Sequence, residues 1–151
     1  DLVNQTLLAT GRSRFASLVV GSLTARGADT MRLALGSGGH PSPLVLRGDG
    51  RVEEVIISGM LVGVTANAKF GQEFAELRRG DICLLYTDGI SEARGGPSGD
   101  EMYGESRLHE LLSSCVGLPM DTILAKVDAS VREWLGGNDH DDIALLAIQP
   151  Y

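Results

Sequence analysis

Two short apolar runs constrain this chain most. Ile82 to Tyr86 ("ICLLY") and Ile143 to Ile148 ("IALLAI") contain no charged residue and have the length of strands buried in a sheet. Acids flank them in opposite order. The first runs into Thr87-Asp88-Gly89, and the second follows Asp141-Asp142. If the two strands lie side by side and antiparallel, the end of one neighbours the start of the other. Asp88, Asp141 and Asp142 would then converge at one rim of the sheet. Asp-Gly is also ordinary turn chemistry, and spacing alone leaves both readings open.

The rest of the chain reads as strands first and helices later. A short helix is expected over residues 2–11, stopping at Gly11. "FASLVVGSL", from Phe15 to Leu23, reads as a strand buried on both faces. "DTMRLALG" alternates, with Met31, Leu33 and Leu35 on one side and Thr30, Arg32 and Ala34 on the other. The intervening "TARGAD" makes these two a hairpin. "LVLRGDGRVEEVII" reads as a second hairpin around Gly48-Asp49-Gly50. A short strand is expected from Phe74 to Leu77, and "ICLLYT" as a central strand. "ARGGPSGDEMYG" is polar and rich in glycine, which predicts a flexible loop. Leu108, Leu111, Leu112 and Cys115 then follow helical spacing. A longer stripe of Met120, Ile123, Leu124, Val127, Val131, Trp134 and Leu135 lies between Pro119, suited to a first turn, and Gly136-Gly137, suited to a stop. "IALLAI" is a last strand, buried on both faces. This order predicts an α+β fold with a largely antiparallel sheet.

Charge narrows the function. Thirteen basic residues against 20 acidic ones give a net charge of −7. Nucleic-acid phosphates demand a basic face, and an anionic membrane does the same, so neither partner is expected. Cys83 and Cys115 have no metal-ligand spacing and sit among apolar residues, which predicts buried free thiols in a reducing, cytoplasmic setting. No run reaches the roughly 20 apolar residues of a membrane span. No glycine cluster fits a phosphate-binding loop, and no serine carries a His-Asp partner pattern.

Clustered carboxylates resist joint ionisation unless a cation sits between them. Carboxylate oxygens suit Mg²⁺ and Mn²⁺. Such an ion polarises a phosphoryl oxygen and lowers the pKa of a bound water. The acids therefore point to metal-assisted phosphate hydrolysis. A turn role is the more ordinary reading of His40, and His140 stands beside the acids, although these ions favour oxygen.

"RGDICLLYTDGISEA", then "YGESRLHELL", a second helix and "HDDIALLAI", resembles the C-terminal part of bacterial PPM (PP2C-type) phosphatases, in the SpoIIE/RsbU-like branch. "LALGSGGHPSPLVLRGDG" is similar to the same branch: Gly39-His40-Pro41 match its Ala-Gly-His-Pro segment, with Gly38 in place of the alanine. "GMLVGV", residues 59–64, looks like its glycine-flanked apolar segment. The resemblance implies an antiparallel β-sandwich flanked by helices. It also implies a two-metal Mn²⁺ or Mg²⁺ centre that activates water against phosphoserine or phosphothreonine. Asp88 matches the acidic ligand of the Thr/Ser-Asp-Gly motif. Asp141 matches the late ligand, and Asp142 fills the supporting position after it. The implied partner is a phosphorylated protein such as an anti-anti-sigma factor, with a sensor domain upstream.

One departure stands beside the match. The family carries an earlier Gly-Gly-Asp motif whose acid bridges both metals, and nothing here corresponds. "ATGRSRFASL" lacks the acid, and Asp29 lies in a turn. The expectation is a PP2C-like domain over residues 1–151 that lacks its N-terminal strands and has little or no activity by itself. Open strand edges would favour a homodimer or poor solubility. The alternative is a non-catalytic domain of the same fold that binds a phosphoprotein or regulator. A haloacid-dehalogenase-type enzyme is disfavoured because its D-x-D-x-[TV] motif is absent.

Overall fold

The computed structural model describes residues 1–11 and 14–150. In chain order they form α1 (Leu2–Ala9), β1 (Leu18–Ala25), β2 (Thr30–Gly38), β3 (Leu44–Leu46), β4 (Val52–Glu54), β5 (Gly71–Arg78) and β6 (Ile82–Tyr86). There follow α2 (Asp88–Ser91), β7 (Arg94–Gly95), β8 (Glu101–Met102), α3 (Gly104–Ser113), α4 (Met120–Leu135) and β9 (Leu145–Ile148). Two compact units result. One joins residues 1–42 to 55–76; the other joins 43–54 to the residues from Leu77 on. Among the described residues no helix is long and apolar enough to cross a membrane.

The first unit is built on the hairpin of β1 and β2, which pair antiparallel from Leu18↔Gly38 to Ala25↔Met31. The Arg26 amide closes the turn on the Thr30 carbonyl at 2.8 Å. The alternation read from sequence holds in β2, where Leu33 and Leu35 are buried and Ala34 less so. β1 departs from expectation. It is the edge of a sheet ordered β1-β2-β5, so much of it faces outward, with Val20 61% and Leu23 50% exposed. Nothing in an apolar run distinguishes an edge strand from a central one. α1 is tied down by Asn4, a buried polar residue. Its Nδ2 donates to the Thr65 carbonyl at 3.0 Å, and its Oδ1 accepts from the Gly63 amide at 2.7 Å. His40 has the turn role read from sequence: its amide lies 3.3 Å from Ser37 Oγ, and its Nδ1 lies 3.2 Å from Ser17 Oγ.

The second unit holds a four-stranded sheet of order β4-β3-β6-β9, antiparallel throughout. β6 is central and buried along its whole length. Leu44, Leu46, Leu84 and Tyr86 share one core with Leu108 and Leu112 of α3 and Ile123, Val127 and Val131 of α4. Each such side chain removed from water contributes about 1.5–3 kcal/mol. α4 ends as its sequence predicts, with Gly136 in the left-handed region at φ 59°.

β9 differs from the expected strand buried on both faces. Leu145 and Ala147 pack on the helical core, but Leu146 points the other way and is 58% exposed, because β9 closes the edge of the sheet. The expected flexible loop after Ala93 is also structured. Its ends pair as the ribbon β7–β8, Arg94↔Met102 and Gly95↔Glu101.

That ribbon is fastened to the last turn of α4. A last-turn carbonyl has no partner within its own helix; that of Trp134 accepts the Gly96 amide at 2.8 Å. The Trp134 indole donates to the Glu101 carbonyl at 2.9 Å. Asn138 Nδ2 donates to the carbonyls of Arg94 and Gly99. Gly95 permits this approach, since a Cβ there would lie 1.9 Å from the Trp134 oxygen.

A buried acid organises the opposite end of the sheet. Asp81 Oδ1 accepts the Gly48 amide at 3.0 Å, while Oδ2 accepts the Arg78 amide at 3.0 Å and Arg47 Nη1 at 2.9 Å. Burial raises the Asp81 pKa, but these donors outweigh it and hold the carboxyl below the usual carboxylate range.

Candidate functional site

The rim where β6 ends and β9 begins is assembled by strand pairing. Register runs from Cys83↔Ile148 to Tyr86↔Leu145. Regular pairing ends at Tyr86, and one further backbone bond follows, from the Thr87 amide to the Ala144 carbonyl at 3.1 Å. The chain then turns into α2, where the Glu92 amide bonds the Asp88 carbonyl at 2.8 Å. On the facing side, residues 138–144 carry no regular structure.

Two of the three acids read from sequence meet here. Asp88 and Asp141 line one cavity of about 160 Å³, together with Gly89, Glu92, Ala93, Arg94, Asp139 and His140. Both carboxylates are exposed to solvent. Asp141 Oδ1 accepts the Asp142 amide at 2.8 Å. Asp142 is not among the lining residues; its carbonyl instead accepts the Thr87 hydroxyl at 2.8 Å.

Glu92, Asp139 and Arg94 join the cavity without having been singled out as site residues. Glu92 follows Asp88 by four residues, the spacing that brings side chains together on a helix. That signal becomes visible only when α2 is recognised as a helical turn rather than a loop. Arg94 is held by Asp100, to whose carbonyl and Oδ1 its Nη1 donates at 3.2 and 3.1 Å. His140 lines the cavity too, with Nδ1 at 2.6 Å from the Asp141 carbonyl oxygen, an acceptor that puts the ring proton on Nδ1.

The donor set is of the kind hard cations take: carboxylate oxygens on an open, solvated rim. Among the described residues no group of three or more His, Cys, Asp or Glu side chains could by itself hold a metal ion. The cavity offers the carboxylates of Asp88, Glu92, Asp139 and Asp141, and Mg²⁺ is commonly bound through one or two carboxylates with waters completing the shell.

Comparison with known proteins gives a consistent result. The family model for stage II sporulation protein E (SpoIIE) matches residues 1–151. Among solved structures, the RsbU and RsbW domains of Rv1364c from Mycobacterium tuberculosis superpose with a TM-score of 0.76 at 24% identity, covering 97% of this chain and 39% of that one. The phosphatase domain of SpoIIE from Bacillus subtilis, presoaked in manganese, gives a TM-score of 0.68 at 18% identity, covering 89% of this chain and 56% of that one. Protein IcfG of a Synechocystis species is 24% identical over 117 residues, 73% of this chain and 17% of that protein. The chain therefore spans less than two thirds of each of these relatives. The structural likeness assigns an α+β, PP2C-like fold with antiparallel sheets and helices.

Proposed function

We propose that this chain, which belongs to the SpoIIE family of PP2C-type phosphatase domains, takes part in metal-dependent hydrolysis of phosphoserine or phosphothreonine on a regulatory protein. The observation that carries the reading is the shared cavity of Asp88 and Asp141 at the β6–β9 rim. In this reading the two carboxylates hold Mn²⁺ or Mg²⁺. Asp142 supports them through its backbone carbonyl, which accepts the Thr87 hydroxyl. The bound ion would supply Lewis-acid polarisation of the phosphoryl oxygen and a water of lowered pKa.

In this reading Glu92 and Asp139, which line the same cavity, are further candidate ligands, while the bridging acid of the family's Gly-Gly-Asp motif has no counterpart in this sequence. The substrate in this reading is a phosphorylated regulator of the anti-anti-sigma-factor kind, met in the cytoplasm, with a sensor domain governing access. The 151 residues alone would then turn over little phosphopeptide.

A second reading is a non-catalytic domain of the same fold that binds a phosphoprotein. The lack of any self-sufficient group of three ligands among the described residues favours it. Mn²⁺ titration and phosphopeptide hydrolysis in the intact protein separate the two. The phosphatase reading expects Mn²⁺-dependent phosphate release, with Asp88→Asn and Asp141→Asn each lowering Mn²⁺ affinity by at least about tenfold, since each deletes one charged ligand. Phosphoprotein binding without Mn²⁺-dependent release would establish the second reading instead.

A further inference from the structure

Thr87 stands at the N-cap of α2, with φ −83° and ψ 158°. A threonine in that position ordinarily turns its hydroxyl onto an amide of the first helical turn. Here it makes no such bond. The hydroxyl crosses to the facing segment, where it donates to the Asp142 carbonyl at 2.8 Å and accepts from the Ala144 amide at 2.9 Å. With its own amide on the Ala144 carbonyl at 3.1 Å, one residue makes three bonds to the approach of β9.

The placement of these bonds is what matters. Thr87 immediately precedes Asp88, and Asp142 immediately follows Asp141. Each cavity carboxylate is thus one residue removed from the bridge. Regular β6–β9 pairing stops at Tyr86↔Leu145 and does not reach either acid. Residues 138–144 have no secondary structure of their own to hold Asp141 in place.

We propose that Thr87 is a positioning residue whose hydroxyl, spanning Asp142 and Ala144, fixes the spacing of the Asp88 and Asp141 carboxylates for a divalent cation. The proposal rests on the metal reading given above. It concerns hydroxyl chemistry rather than side-chain shape. Serine keeps the donor and the acceptor, whereas valine keeps the branched outline and has neither.

The test uses Thr87→Val, Thr87→Ser and Thr87→Ala in the intact protein. Mn²⁺ affinity is read by titration, and Ala144 amide exchange is read in metal-free protein. Thr87→Val is expected to bind Mn²⁺ about tenfold more weakly, the effect of one to two lost hydrogen bonds, and to expose the Ala144 amide to faster exchange. Thr87→Ser should stay within about threefold of wild type, because its hydroxyl keeps both bonds. Thr87→Ala repeats the deletion should the valine variant misfold. A melting temperature that falls while Mn²⁺ affinity stays at the wild-type value would make Thr87 merely structural and overturn the proposal. If wild-type protein binds no Mn²⁺, the metal reading falls, and with it the role assigned to Thr87. Ala144 exchange then still reports whether the hydroxyl bridge forms, and unchanged protection in both hydroxyl-free variants removes the bridge as well.

Discussion

Gly89 and Asp142 meet backbone to backbone: a Cβ on Gly89 would lie 2.5 Å from the Asp142 carbonyl oxygen and 3.1 Å from that of Asp141. The Asp142 oxygen is the one that accepts the Thr87 hydroxyl. Thr87 and Gly89 therefore touch the later acid segment, by bonding and by close backbone approach, and Asp88 between them shares a cavity with Asp141.

Gly89→Ala should consequently push α2 and the 139–142 segment apart. Neither neighbouring atom is the flexible end of a side chain, so the strain falls on backbone. The expected cost is about 1–3 kcal/mol, as for other overpacked sites, with a parallel loss of Mn²⁺ affinity. Thermal unfolding and metal titration check it; an alanine variant equal to wild type in both would contradict the contact.

Asp81→Asn should destabilise the protein by about 3 kcal/mol. It removes the charge that faces Arg47 and turns an amide toward backbone donors. The effect has a pH signature. The folded carboxyl titrates below its unfolded counterpart. Between those two values the unfolded chain binds more protons, so stability falls as pH falls. The contribution is fully present above about 3.9, the unfolded value, and is lost once pH drops through the folded one. Melting curves across the acid range should show a shallower decline for Asp81→Asn than for wild type.

Native protein should leave both thiols unmodified by an aromatic disulfide reagent at mildly alkaline pH, and unfolding should release both. Cys83 and Cys115 are buried. Burial pushes the Cys83 thiol up to about 12, against a smaller lowering by Arg47, so the reactive thiolate is scarce as well as covered. Rapid reaction of either in folded protein would contradict that packing.

What the sequence made legible was local periodicity. α4 showed itself through its stripe and its glycine stop, β2 through alternation, and β6 through an unbroken apolar run. The opposed order of acids and apolar runs anticipated that Asp88 and Asp141 line one cavity, because antiparallel neighbours bring end to start. Strand position was not legible. "FASLVVGSL" and "IALLAI" are as apolar as a central strand, yet β1 and β9 lie at sheet edges, where Val20 and Leu146 face outward. The anchors Asn4 and Asp81 escaped notice because most of their partners are distant in sequence: Thr65 and Gly63 for one, Arg47 and Gly48 for the other. Glycine-rich composition hid the β7–β8 ribbon, much of whose support comes from Trp134 and Asn138, distant in sequence.

The fastening of that ribbon to Trp134 makes α4 a ruler. The helix end offers a carbonyl to Gly96 and an indole to Glu101, and so supports the ribbon that carries Arg94, while Asp100 holds the guanidinium itself. Removing the last turn of α4 would withdraw both supports together, and the change would reach the cavity through Arg94, one of its lining residues, although every acid remained in place.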